Sequence, residues 1–301
     1  MNTLPYLNKG GKARIVAPAG KIAGEHIMPA VDWLKSQGFR VEIGQHVFAR
    51  HFQFAGTDRQ RLEDLQSALD DPDADVIICS RGGYGTVRII DQLDFSKFMQ
   101  NPKWIIGFSD ITILHNRLNL LGIPSVHGAM PRYFFDENGD PSESLNTIFD
   151  FLLGKKPDYK LPSGQFNRNG DATAGLVGGN LSIICSLSGT KYELETDGKI
   201  LFIEDIDEFL YHTDRMMYQL KLAGKLQGLA GLVVGSFSGT KDNPAPFGKT
   251  AYEIIRDAVD DYDFPVYFGF PAGHTKRNLA LVLGMEWELD VNSVEPTLKM
   301  L

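Results

Sequence analysis

Cysteine is scarce in this chain: Cys79 and Cys185 are the only two in 301 residues, each inside an apolar run. That excludes a disulfide framework and leaves buried thiols in a reducing compartment as the expectation. Clusters of lysine and arginine are also missing, and a net charge of -8 with a pI near 5.4 offers no basic surface to a phosphate backbone. Nucleic acid is therefore not expected as a partner. No stretch approaches the ~18 apolar residues of a membrane span. The opening Met1-Asn2-Thr3-Leu4-Pro5 reaches a strand-like run at Arg14 without the apolar core of a secretory leader, so no membrane partner and a cytoplasmic location are expected. H-E-x-x-H spacing, a Cys/His cluster and a Walker sequence are all lacking, and neither a metal nor a cofactor is expected.

What is present is ordinary for a globular protein, 43% hydrophobic and 23% charged, in a chain long enough for two medium domains. Ala13–Pro18, Arg40–Ile43 and Val76–Cys79 are short apolar runs without clean alternation, which suits strands covered on both faces. Helical spacing separates them, at Ile27, Val31 and Leu34 and again from Thr57 through Leu69. This strand-helix rhythm predicts a parallel sheet flanked by helices. From Phe135 to Thr173 the texture turns rich in Gly, Pro, Asn and Asp, which places an α/β domain at 1–160, a linker at 161–170 and a second domain at 171–301. The second half reads as a glycine-rich turn from Gly175, a small helix Leu181–Leu187, strands at Lys199–Asp205 and Leu229–Phe237, helices at Phe209–Leu222 and Thr250–Val259, and a tail from Leu279 that alternates like antiparallel strands.

The chemistry centres on Trp104-Ile105-Ile106-Gly107-Phe108-Ser109-Asp110-Ile111-Thr112, an apolar run ending in a serine that opens an amphipathic segment. A serine on such a strand-to-helix corner stands above the carboxyl edge of a sheet, with the Asp110 amide aimed at whatever binds there. The plainer alternative is that Ser109 caps the helix. Arg81-Gly82-Gly83-Tyr84-Gly85 follows another strand and precedes a helical pattern at Val87, Ile90 and Leu93. Its spacing refuses the dinucleotide fingerprint, since Arg88 stands three residues past Gly85, and leaves either a ligand-approaching turn or a merely tight one. Two further groups end strands, Glu204 and His274, and serine, histidine and glutamate are the residue types of nucleophile, base and orienting carboxylate. An α/β-hydrolase shares this chain order but needs glycine two past the serine, where Ile111 stands. Asp205, Asp207 and Glu208 compete with Glu204, and His127 and His212 compete with His274.

Taken together, Val16-Ala17-Pro18-Ala19-Gly20, Arg81–Gly85, Gly107–Thr112, Gly178-Gly179-Asn180-Leu181, Ile203-Glu204-Asp205, Asp214-Arg215-Met216-Met217 and Gly269-Phe270-Pro271-Ala272-Gly273-His274-Thr275 resemble the LD-carboxypeptidases, also called muramoyltetrapeptide carboxypeptidases. The resemblance covers nearly the whole chain. It implies an α/β amino-terminal domain with a parallel sheet and a smaller α+β carboxy-terminal domain containing a β-barrel. It also implies Ser109 as nucleophile, His274 as base, Glu204 as its partner, and the amides of Gly83 and Asp110 as the oxyanion hole. Val282 departs from the proline that relatives often carry after the histidine.

The activity implied is a serine-type, metal-free removal of the terminal D-alanine from murein tetrapeptides in peptidoglycan recycling, by a cytoplasmic homodimer. A microcin C self-immunity peptidase, cutting an aminoacyl-nucleotide carboxamide, resembles the same family. A catalytically silent small-ligand-binding module is the alternative from another class. An exopeptidase must meet a free carboxylate with a cation or amides; Arg81 is the first candidate and Arg277 the second, each with a surface ion pair as its plainer role.

Overall fold

A computed structural model of the chain describes residues 4–8 and 10–301. Met1 to Thr3, part of the opening read above, lie outside these. The chain divides into two compact units, Met1–Lys155 with Leu279–Leu281, and Lys156–Asn278 with Val282–Leu301.

The first unit alternates strands and helices: β1 (Lys12–Val16), α1 (Met28–Ser36), β2 (Arg40–Ile43), α2 (Asp58–Asp70), β3 (Val76–Cys79), α3 (Ser96–Gln100), β4 (Trp104–Gly107), α4 (Thr112–Leu120), β5 (Ser125–His127) and α5 (Glu143–Leu152). Every residue of β3, β4 and β5 is buried, as expected for strands covered on both faces. Helix α2 starts where Thr57 and Gln60 form a reciprocal capping box. Pairings β2–β1, β1–β3, β3–β4 and β4–β5 are all parallel. The sheet order is β11-β5-β4-β3-β1-β2, with the return strand β11 (Leu281–Leu283) at its edge. Because β1 lies between β2 and β3, the strand order reverses between β1 and β3, and in sheets of this kind ligands bind at the carboxyl ends of the strands at that reversal. There the Gly20 N–H donates to the Gly82 carbonyl at 2.9 Å.

Sheet and helices are tied ionically as well. Asp71, just past α2, accepts from Arg14 Nη1 and pairs with Lys12 Nζ, each at 2.7 Å. Burial pushes its carboxyl up, but these hydrogen bonds prevail and hold it at about 2. The helix expected beyond Gly85 is instead two 3-10 turns, Thr86–Arg88 and Ile90–Gln92. The β-branched Thr86, Val87, Ile89 and Ile90 crowd a continuous α-turn here.

The second unit contains β6 (Asp158–Lys160), β7 (Asp171–Asn180), α6 (Leu181–Ser186), β8 (Ile200–Ile206), α7 (Leu210–Leu222), β9 (Gly231–Ser238), α8 (Ala251–Ala258), β10 (Val266–Phe268), β12 (Glu286–Asp290) and β13 (Thr297–Met300). Its seven-stranded sheet, β10-β9-β8-β7-β12-β13-β6, is the curled, half-barrel part of the fold. Strands β7 to β10 pair in parallel, whereas β7–β12, β12–β13 and β13–β6 are antiparallel. The apolar side chains of α7 and α8, among them Met216, Met217, Leu220, Ile255 and Ala258, join Leu201, Ile203, Leu232 and Val234 of the sheet in one core. The glycine-rich stretch from Gly175, expected as a turn, lies inside β7. Gly178 has φ +130, and a Cβ there would stand 1.9 Å from the Phe202 carbonyl oxygen, so glycine serves close backbone approach rather than reversal. Among the described residues no helix is long and apolar enough to cross a membrane.

Candidate active site

In the first unit Ser109 follows β4 with φ 65, a left-handed conformation that side chains other than glycine adopt at a cost of roughly 1–3 kcal/mol. The capping alternative fails: the short turn Ser109–Ile111 and α4 both begin without a side-chain cap, and the residue flanking α4 is Ile111. The corner is held from both sides. A Cβ on Gly107 would meet Ile111 Cγ1 at 2.8 Å, so glycine lets the chain fold back over the strand end. Buried His115 clamps the same end, its Nε2 lying 2.9 Å from the Gly107 carbonyl and its Nδ1 2.8 Å from Ser125 Oγ. Burial drives the His115 pKa down to about 4, so it is neutral and braces rather than titrates near neutrality.

The glycine turn lies against this serine. A Cβ on Gly82 would come 2.8 Å from Ser109 Cβ and 3.0 Å from its Oγ, which explains the absence of any side chain there. Gly83 is exposed and at φ +98, and a Cβ there would stand 3.4 Å from the Gly20 Cα. Among the described residues, neither the Gly83 nor the Asp110 N–H donates to a backbone carbonyl. Asp110 itself is almost fully buried, and its Oδ2 accepts the Thr86 N–H at 2.8 Å, fastening the far end of the glycine turn to the serine corner. Burial raises its pKa against the hydrogen bonds from Thr86 and the charge of Arg61. Arg81 is exposed and donates from Nη1 to the Lys21 carbonyl at 2.7 Å, which anchors its guanidinium on the loop after β1. Four predicted residues, Ser109, Asp110, Gly83 and Arg81, thus gather at one sheet edge.

In the second unit Glu204 lies within the buried run of β8 and is 0% exposed. Its Oε2 lies 2.8 Å from His274 Nδ1. Gly273, at φ +111, has no room for a Cβ, which would stand 2.6 Å from both Glu204 Oε2 and Ser236 Oγ; the turn before His274 closes onto the carboxylate because glycine is there. Burial alone would lower the His274 pKa, yet the hydrogen bond and charge of Glu204, helped by Asp205 and Asp207, raise it.

The rival residues have other work. Asp205 accepts from Asn180 Nδ2, Ser182 N and Ile206 N, each at 2.9 Å, and so fixes the start of α6. Burial raises its pKa to about 6. Glu208 pairs with His212 one turn along, Asp207 is exposed, and His127 is fully buried in β5. Arg277 is exposed, and its carbonyl accepts from Thr275 Oγ1 at 2.6 Å. One residue escaped the sequence reading, Arg61, which is 1% exposed and packed behind Gly85. Its place in the amphipathic pattern of α2 gave no signal of this.

The chain matches the LD-carboxypeptidase N-terminal domain over residues 13–128 and the LD-carboxypeptidase C-terminal domain over residues 173–289. It is 33% identical to a protein of Bacillus subtilis named "Probable murein peptide carboxypeptidase", over 97% of this chain and 92% of that one. The crystal structure of muramoyltetrapeptide carboxypeptidase from Oxalobacter formigenes superposes with a TM-score of 0.87 at 31% identity, covering 96% of this chain and 98% of that chain. The Microcin C7 self-immunity protein MccF of Escherichia coli is 26% identical over 92% of this chain and 89% of its own length. With both domains matched in order over a fold of two such units, the chain belongs to the LD-carboxypeptidase family of peptidases.

Proposed function

We propose that this peptidase is a serine-type LD-carboxypeptidase that removes the terminal D-alanine of murein tetrapeptides during peptidoglycan recycling, working in the cytoplasm as a homodimer. In this reaction His274 takes the hydroxyl proton of Ser109 as the oxygen attacks the carbonyl carbon of the L,D bond. The Gly83 and Asp110 amides receive the oxyanion, worth roughly 10²–10³ in rate per donor. Collapse breaks the C–N bond, His274 protonates the departing amine of D-alanine, and water, deprotonated by His274, hydrolyses the acyl-serine. Glu204 holds the imidazole tautomer and stabilises the imidazolium. Substrate recognition falls to Arg81, or failing it Arg277, on the free carboxylate.

The observation that carries the reading is the 2.8 Å contact of His274 Nδ1 with a carboxylate that is entirely buried, an arrangement that orients the ring and stabilises the imidazolium a base becomes when it takes a proton. The strained φ of Ser109 adds to it. The relatives named for murein peptides supply the substrate class, and the microcin relative supplies the rival. Release of D-alanine from an L,D-tetrapeptide, measured beside release of the aminoacyl group from an aminoacyl-nucleotide carboxamide, separates the two. Turnover of the peptide alone supports the proposal; turnover of the carboxamide alone replaces it with the self-immunity type, and turnover of neither leaves a binding module.

A further inference from the structure

Behind the glycine turn sits a cation that the proposed chemistry does not use. Arg61 of α2 is 1% exposed, and burial lowers its pKa against the charge of Asp58. Burying a guanidinium is costly, and such a group persists where its geometry is needed. Arg61 Nη1 donates to the Pro18 carbonyl on the loop after β1 at 2.7 Å, while Nη2 pairs with Asp58, which also accepts from Arg88. The guanidinium lies 4.9 Å over the ring of Phe54, whose backbone bridges to Gly20 and whose ring stands 5.9 Å from Tyr84 of the glycine turn. At Gly85, φ +144, a Cβ would come 2.3 Å from Arg61 Nη1, so the turn rests directly on the guanidinium. Arg61 also attracts Asp110, the residue whose carboxylate holds the Thr86 amide.

We propose that Arg61 is a positioning residue, clamping the turn Arg81–Gly85 between the loop after β1 and the serine corner so that the Gly83 amide stays aimed where an oxyanion forms. The inference rests on the serine reading above. The planar fork is the reason for arginine: one side chain must serve the Pro18 carbonyl and the Asp58 carboxylate in fixed directions while its face covers Phe54, which the point charge of lysine does not do.

Three variants test it: Arg61→Lys, Arg61→Gln and the gentler Asp58→Asn, which loosens the clamp from its partly exposed partner. For each, kcat and KM on an L,D-tetrapeptide are measured with the affinity of a peptide boronic acid whose boron replaces the scissile carbonyl carbon, and melting is followed by circular dichroism. Arg61→Gln is expected to lower kcat on the order of 10²-fold with KM changed less than about threefold, and to weaken the boronate in parallel. Arg61→Lys and Asp58→Asn should follow the same line with smaller losses. If Arg61→Gln does not fold, the line is drawn through the other two. Folded variants that lose thermal stability but keep kcat and boronate affinity would overturn the proposal and leave Arg61 a structural residue. A wild type that cleaves the peptide yet ignores the boronate would instead sink the serine reading, and this inference with it.

Discussion

The Nδ1–H of His274 donates to Oε2 of Glu204 across 2.8 Å, and that carboxylate has no exposed surface. Its other oxygen, Oε1, has no hydrogen-bond partner among the described residues. A buried carboxylate with one oxygen unmet is costly, and the charge of a protonated imidazole is the nearest compensation. The pair therefore favours His274 in its charged form more than burial disfavours it.

A base must be neutral to accept a proton, so a raised His274 pKa moves the acid limb of activity upward. The apparent pKa of that limb in kcat/KM is expected above the ordinary 6.5. Glu204→Gln removes the charge and leaves burial dominant, which should shift the limb below that of the wild type with a milder loss of turnover than Ser109→Ala. A pH–rate profile of both proteins decides; an unmoved limb in Glu204→Gln would show that another group titrates.

Arg81 is anchored through Nη1 on the Lys21 carbonyl beside the glycine turn. If it meets the substrate carboxylate, Arg81→Ala should cost roughly 2–3 kcal/mol in kcat/KM on a free-acid tetrapeptide. Amidating the peptide should hurt the wild type by a similar amount and the variant hardly at all. Equal sensitivity in both would clear Arg81 and turn attention to Arg277, and a wild type indifferent to amidation would contradict carboxypeptidase action.

The Asp71 tie between α2 and β1 predicts acid sensitivity of the first unit. Its carboxyl titrates at about 2 in the fold against an ordinary 3.8, so its contribution is complete above 3.8 and disappears as pH falls toward 2. Asp71→Asn should cost about 2 kcal/mol at pH 7 and nearly nothing at pH 2. Urea unfolding at the two pH values measures this, and a loss independent of pH would assign the effect to packing.

Much of this was legible in the residues because local chemistry and topology agree. The apolar run into Gly107-Phe108-Ser109-Asp110 predicts a strand ending in a corner, and the chain builds that strand and corner. Thr57 announces α2, and the helix starts directly after it. What stayed hidden depends on contacts distant in sequence. The positive φ of Ser109 comes from the packing of Gly82 and Ile111, not from serine's own preference. Gly178 reads as a turn residue until Phe202 of β8 is laid beside it. Arg61 looks like any polar residue of an amphipathic helix, since Pro18 and Gly85 reach it only through the fold. Leu281–Leu283 alternates with the tail yet forms an edge of the first sheet, a pairing no local pattern encodes.

If Ser109 and His274 act as one unit, their losses are not additive. Ser109→Ala and His274→Ala should each remove most turnover of the L,D-tetrapeptide, and the double variant should lose little more. Losses that multiply would mean two independent roles.

The central claim, that Ser109 is the nucleophile, is tested most directly by treating the protein with a fluorophosphonate and locating the adduct by mass spectrometry while peptide turnover is followed. The account predicts one adduct per chain, on Ser109, with activity lost in proportion to labelling, and neither adduct nor turnover in folded Ser109→Ala. Full turnover by folded Ser109→Ala, or an inactivating adduct on another residue, would contradict it.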